Sequence, residues 1–326
     1  MKAIVCSRYG PPEALRLADV AKPVPADDEV LIKIHAVSVN RSDWEGLIGE
    51  PLYARLGGLF RPSRPILGSD IAGRVESVGK AHTQFHPGDA VFGDILTRLG
   101  GFAEYVCARG NALAFKPAGL TFAQAAALPQ AAVIALQGIR DKGQIQPGQR
   151  VLINGAGGGA GAFALQLAKR AGAEVTGVDN AGKLDFMRAL GADHVIDYAR
   201  EDYTAGGERY DFILDLVAYR SALAYARALR PGGSLYVVGG SAATLLQVVF
   251  LGPLIRRATG KRIAVLMVRP NRADLIAAAE LVQTGMLNPM IDRQYPLSQV
   301  PEALRYLGDG RARGKLVIDV GGADET

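Results

Sequence analysis

The chain is poor in cysteine. Cys6 and Cys107 are the only two in 326 residues. They form no C-x-x-C pair, so neither a disulfide framework nor a cysteine-rich zinc site can be built. Blocks of one charge are also lacking. The net charge of +5 is spread along the sequence, which gives no nucleic-acid footprint and predicts no nucleic-acid partner. Apolar runs stay short: the longest, Leu245 to Ile255, is interrupted by Gly252-Pro253 and falls below the roughly 20 residues that a spanning helix needs. Stable membrane insertion is not expected. The opening MKAIVCSRYG has no apolar signal core and reads as a first strand, so a cytoplasmic protein is expected. Of the four histidines, His35, His82, His86 and His194, none stands at metal-ligand spacing from another ligand type, and no metal is expected.

Glycine is plentiful, and its placement carries information. Residues 151–161 read VLINGAGGGAG, with the helix-like run AFALQLAKRAG immediately after. A strand, a glycine turn and a helix form the first unit of a dinucleotide fold, where a bare backbone lets a pyrophosphate approach and lets the helix pack on the strand. Against the pattern G-x-G-x-x-G, Ala156 replaces the first glycine, while Gly158 and Gly161 hold the second and third, with Gly159 and Ala160 between them. The next strand, EVTGVD, ends in Asp179, 18 residues after Gly161, where a carboxylate would accept the ribose 2′-hydroxyl of NAD(H). Lys183 and Tyr198 stand where a 2′-phosphate would be held. The reading leans to NADP(H), with NAD(H) as the second option.

Around this motif the chain changes character. EVLIKIHAVSV, DIAGRVESVG and AVFG, between Glu29 and Gly93, alternate or end in glycine like strands of a β-rich domain. From VLIN onward strands alternate with helical patterns through HVID, YDFILDL and SLYVVG, a rhythm of right-handed βαβ units on a parallel sheet. One amphipathic helix, ADLIAAAELVQTG, and a last strand, KLVIDV, are expected after Val268. The expected architecture is α/β: a split β-rich catalytic domain, 1–124 and 267–326, and a doubly wound Rossmann domain, 125–266.

The segments MKAIVCSRYGPPEALRL, HAVSVNRSDW, PILGSDIAGRVESVG, HPGDAVFG, GGFAEY, AAALPQAA, PGQRVLINGAGGGAG, LGADHVIDY, LRPGGSLYVVGG and ARGKLVIDV together resemble the medium-chain dehydrogenase/reductase superfamily, in its zinc-independent quinone oxidoreductase branch. The resemblance covers essentially the whole chain. It implies a GroES-like catalytic domain, a Rossmann domain and a homodimer. Zinc relatives carry a catalytic cysteine and a histidine–glutamate pair; the matching segments here hold Asn40 and Ser69-Asp70. Without that Lewis acid alcohol oxidation is disfavoured, whereas reduction of a quinone or an α,β-unsaturated carbonyl leaves a delocalised anion that a weak donor can protonate. The alternatives are a metal-free aldehyde or ketone reductase, and a low-turnover cofactor-binding protein that associates with a membrane or a structural partner. Matching implies Asn40 and Tyr53 as catalytic candidates, the latter as proton donor, and Asp43, Trp44 and Phe250 as substrate neighbours. Gly239, Gly240, Ser241 and Lys315 are implied as cofactor neighbours. The stretch Ser241 to Lys261 reads either as a core helix with a basic last turn or as an apolar wall of Leu246, Val249 and Phe250 for a lipophilic quinone. A membrane-surface helix is a variant of the second reading.

Overall fold

The computed structural model describes residues 1–56 and 58–321. The chain divides into two compact units: Ile134–Arg269, and the chain on either side of it.

The flanking unit is built on a seven-stranded sheet whose spine is the strand Glu29–Val39. Four of its side chains, Val30, Ile32, Ile34 and Val37, are essentially fully buried. Asp70–Val78 and Lys315–Asp319 pair antiparallel with it on opposite sides, and Tyr105–Arg109 pairs with its first half. The register Leu316↔Val39 brings the start of the last strand beside the end of the spine. The strand Asp70–Val78 begins at the same level, because Ser38 pairs with Asp70. Three strand ends, bearing Lys315, Val39-Asn40 and Ser69-Asp70, are therefore neighbours by topology alone. The helix Arg41–Ile48 starts directly after the spine with Asn40 at its N-cap.

The second unit is a six-stranded sheet, parallel throughout. Its order is His194–Asp197, Glu174–Asp179, Arg150–Asn154, Tyr210–Asp215, Leu229–Val237, Arg262–Val265. In chain order this is 3-2-1-4-5-6, the doubly wound Rossmann arrangement. The first strand, VLI within Arg150–Asn154, is buried on both faces, as parallel strands between helical layers require. The helix Gly159–Arg170 crosses to the second strand, and a Cβ on its Gly161 would run into the Gly155 carbonyl. The third glycine of the motif thus serves helix–strand packing.

One stretch departs from the sequence expectation. Between the expected helix, observed as Arg272–Gln283, and the last strand, the structure adds a strand, Ile291–Pro296, and a helix, Val300–Gly308. That helix, VPEALRYLG, is short and carries Pro301 in its first turn, where a proline is tolerated. The stretch after Ser241 is one helix, Ala242–Thr259, with Thr244, Val248, Gly252 and Ile255 buried. A Cβ at Gly252 would meet the Ile263 carbonyl, so this glycine seats the helix on the edge strand.

Candidate functional site

In the flanking unit the three neighbouring strand ends assemble a buried polar cluster. Lys315, 3% exposed, donates from Nζ to Asn40 Oδ1 at 2.5 Å and to the Val39 carbonyl at 3.5 Å. Its ammonium lies 3.9 Å from Asp70 Oδ2. Asn40 turns its Nδ2 toward Ser69 Oγ at 3.4 Å. Gln130 donates through its backbone N–H to Asp70 Oδ2 at 3.0 Å and through Nε2 to Ser69 Oγ at 2.7 Å. Ser42 Oγ donates to Gln130 Oε1 at 3.1 Å. Asp70 Oδ1 is buried with no hydrogen-bond partner among the described residues.

The charges are unevenly served. Burial pulls the Lys315 ammonium below the usual lysine range, with Asp70, Asp43 and Asp94 pulling it back. Burial pushes the Asp70 carboxyl up, against the attraction of Lys315. Asp43 and Asp94 are each pushed up to about 7 by burial, and the Asp70 charge adds to both. One lysine therefore faces three carboxyls that do not all ionise together at neutral pH.

Asn40 and Lys315, expected on different grounds, are brought together. Asp43 needs correction as a substrate neighbour. Asp43 is 1% exposed, and its two oxygens accept from the Asn40 and Gly68 backbone N–H groups at 2.8 and 3.0 Å. It clamps the start of the helix rather than a ligand, as a third-position carboxylate does in a capping box. Trp44 is partly buried, its ring packed against the flanking unit's core and over the space where Gly308 has no side chain. Tyr53 lies half-buried on the short helix Leu52–Arg55. Ser69, Asp70, Ser42 and Gln130 were not singled out as site residues. The signal for the first two was their match to the metal-ligand segment of zinc relatives.

In the parallel-sheet unit the glycine turn has the form a pyrophosphate needs. Gly155 turns left-handed, with φ +83°, which favours glycine. Gly158 is the N-cap of the helix Gly159–Arg170, in extended backbone; a Cβ there would meet nothing closer than the Gly155 carbonyl at 3.4 Å. The space over it is open. The N–H groups of Gly159, Ala160 and Gly161 open the first helical turn, where no intrahelical acceptor exists, and the helix dipole favours an anion. Ala156 is fully buried beneath them.

Asp179, 7% exposed, accepts from Gly157 N at 3.0 Å and Asn180 N at 2.9 Å. It pairs with Lys183 Nζ at 3.3 Å. Gly157 and Asn180 belong to this corner although neither was expected: a side chain at Gly157 would collide with Lys183. Tyr198 donates its backbone N–H to the Asp179 carbonyl, and its ring is exposed. Gly239 and Gly240, both left-handed at φ +67° and +102°, follow the fifth strand, which ends at Val237. Ser241 caps the following helix by accepting from Thr244 N at 3.1 Å. Phe250 is 69% exposed on that helix.

Residues 26–138 match the family model described as the alcohol dehydrogenase GroES-like domain, and residues 190–318 that described as zinc-binding dehydrogenase. The chain is 32% identical to a 2-methylene-furan-3-one reductase of Solanum lycopersicum, over 98% of this chain and 79% of the relative. It is similar in structure to a quinone oxidoreductase from Coxiella burnetii, with TM-score 0.89, 32% identity, and 98% and 99% of the two chains covered. It is also similar to an Escherichia coli quinone oxidoreductase complexed with NADPH, with TM-score 0.84, 25% identity, and 98% and 100% covered. The metal named in one of these family descriptions does not fit the residues present. An amide, a hydroxyl and one carboxylate around a lysine ammonium are not a zinc donor set. Among the described residues no group of three or more His, Cys, Asp or Glu is placed to hold a metal, and no helix is long and apolar enough to cross a membrane.

Proposed function

The chain belongs to the medium-chain dehydrogenase/reductase superfamily, in its quinone oxidoreductase branch, and on that premise we propose that it is a zinc-independent, nicotinamide-dependent reductase of quinones and α,β-unsaturated carbonyls. The observation that carries this reading is the open glycine turn at Gly158, with the Asp179–Lys183 pair at the end of the next strand. When bound, a nicotinamide cofactor supplies the hydride. The N–H groups of Gly159, Ala160 and Gly161 would receive its pyrophosphate over the bare Gly158, and Asp179 its adenosine ribose.

The sequence leaned to NADP(H) on the strength of Lys183 and Tyr198. Lys183 is engaged by Asp179, and a 2′-phosphate would have to share it with a carboxylate. NADP(H) is kept as the leading cofactor and NAD(H) as the second, with Asp179 weakening the grip on that phosphate. In the flanking unit Asn40 has its carboxamide oxygen fixed by Lys315, which leaves Nδ2 as the donor toward a substrate oxygen. Reduction of a quinone or enone places charge on that oxygen, and a fixed N–H stabilises it without a metal. Tyr53 is the proposed proton donor. The open edge strand Arg262–Val265 is the proposed pairing edge of a homodimer.

A panel of quinones and enones assayed with NADH and with NADPH, with and without chelator, tests the reading. Turnover unaffected by chelator and zinc-free protein by elemental analysis are expected; one zinc per chain sinks the metal-free reading. Gly158→Val should stay folded and lose cofactor binding, because its branched side chain occupies the pyrophosphate's place. Unchanged affinity by calorimetry would remove the nucleotide site from the glycine turn.

A further inference from the structure

The helix Ala242–Thr259 buries one face through Thr244, Val248, Gly252 and Ile255. Its opposite face is a continuous apolar stripe. Leu246, Val249, Phe250, Pro253 and Leu254 follow the i, i+3, i+4, i+7, i+8 spacing, and all five are exposed. The four large side chains among them are 55–69% exposed, and no polar residue interrupts the stripe before Arg256. Scattered exposed leucines are ordinary, whereas an aligned set with a phenylalanine at its centre marks a docking surface. Leu223, on the neighbouring helix Ala222–Ala228 that donates from Ala222 N to Gln247, is 63% exposed as well.

The charge around this face is one-sided. From Leu216 to Arg269 the chain carries eight Arg and Lys residues and no Asp or Glu. The even spread of charge expected from the sequence does not hold in this stretch. Arg220 and Arg230 are paired with Asp202 and Asp211. Arg256 and Arg257 close the stripe in the last turn, both exposed, and among the described residues neither has a carboxylate within ion-pair distance. The stripe lies opposite Gly252, the residue that seats the helix on the strand Arg262–Val265, so pairing of that strand edge with a second copy leaves the stripe facing outward. A surface with phosphates on its outside and hydrocarbon beneath matches both halves.

We propose that this face docks on an anionic lipid surface. The apolar stripe enters the boundary between headgroups and acyl chains, and Arg256 and Arg257 meet lipid phosphates. The helix lies in the plane of the surface and spans nothing. This holds whether or not the redox reading above is correct.

Flotation of the full-length protein with vesicles of phosphatidylcholine, with and without phosphatidylglycerol, is the test. Binding is expected to be about tenfold tighter to the anionic vesicles and to weaken with salt. The pair Arg256→Glu and Arg257→Glu should remove the anionic preference. The pair Val249→Ser and Leu254→Ser should weaken binding to both vesicle types, with an unchanged melting temperature as the check on folding. Failure of the unmodified protein to float with anionic vesicles at low salt overturns the proposal. So does equal binding by the variants, or sedimentation showing that the serine pair splits a dimer while vesicle binding persists.

Discussion

Asp215, at the end of the fourth strand of the parallel sheet, and Asp70, at the start of a strand in the mixed sheet, are both 0% exposed, yet their surroundings differ. Asp215 Oδ1 accepts from Asn154 Nδ2, Val217 N and Ala218 N, and its Oδ2 from the hydroxyls of Tyr203 and Tyr225. Burial and the nearby carboxylate push both tyrosines above their usual range, so both stay neutral donors. Five neutral donors saturate the carboxylate and lock the turn after the strand. Asp70 has one oxygen served at 3.0 to 3.9 Å by Gln130, Ser38 and Lys315, and the other by nothing. A buried carboxylate with matched neutral donors is a structural fastener. One with a cation and an open acceptor is the mark of a working site.

The largest test of this contrast is Asp215→Ala. It leaves five donors without their acceptor, each costing about 1–3 kcal/mol if it stays buried, and a loss of roughly 4 kcal/mol in the stability of the parallel-sheet unit is expected by chemical denaturation. A loss under about 1 kcal/mol would mean that water replaces the carboxylate and that the fastener reading is wrong. Lys315→Met comes next. Removing one partner of a buried charge pair costs about 3–5 kcal/mol, less here because Asp43 and Asp94 can take up protons. The variant should be closest to wild type in acid, and the gap should widen as pH rises through 7. A pH-independent gap would show that the ammonium does not balance the carboxyls.

The unmodified protein gives a smaller effect of the same origin. Asp43 and Asp94 titrate at about 7 when folded, against a usual aspartate value of about 3.9. The folded state holds these protons more tightly than the unfolded chain does. Their contribution to stability is therefore full below about pH 4 and is lost as pH climbs to about 7. Carboxyl chemical shifts followed by NMR should reveal two aspartates titrating near neutrality. The smallest effect belongs to the nucleotide corner. Asp179→Ser frees Lys183 and removes like-charge repulsion from a 2′-phosphate, and it should improve NADPH affinity by about 1 kcal/mol, roughly fivefold. Weaker NADPH binding would show that Asp179 does not face that phosphate.

The two regions were not equally legible. The Rossmann order and the glycine turn could be read because a local pattern, strand–glycine–helix, encodes them and repeats as βαβ units. Asp179 and Lys183 lie within one turn of each other in sequence, although their mutual pairing was not foreseen. The polar cluster is non-local. Lys315 meets Asn40 across 275 residues, and only the antiparallel register of two distant strands makes them neighbours. Asp43 was implied as a substrate neighbour by its place beside Asn40 in the matched segment; its position three residues after that N-cap makes it a capping carboxylate. The packing of Trp44 over Gly308, on an unforeseen helix, leaves no trace in a local window.

The pairing of Lys315–Asp319 with Glu29–Val39 also sets an order of assembly. During synthesis the carboxyls of Asp43, Asp70 and Asp94 leave the ribosome long before the lysine that balances them, and the whole parallel-sheet unit is made in between. That unit can fold first on its own local contacts. Meanwhile the spine strand waits with an unpaired edge. The arrival of Lys315 is then a late strand pairing that also brings in the balancing charge, and a nascent chain arrested before residue 315 would carry the parallel-sheet unit without a finished flanking unit.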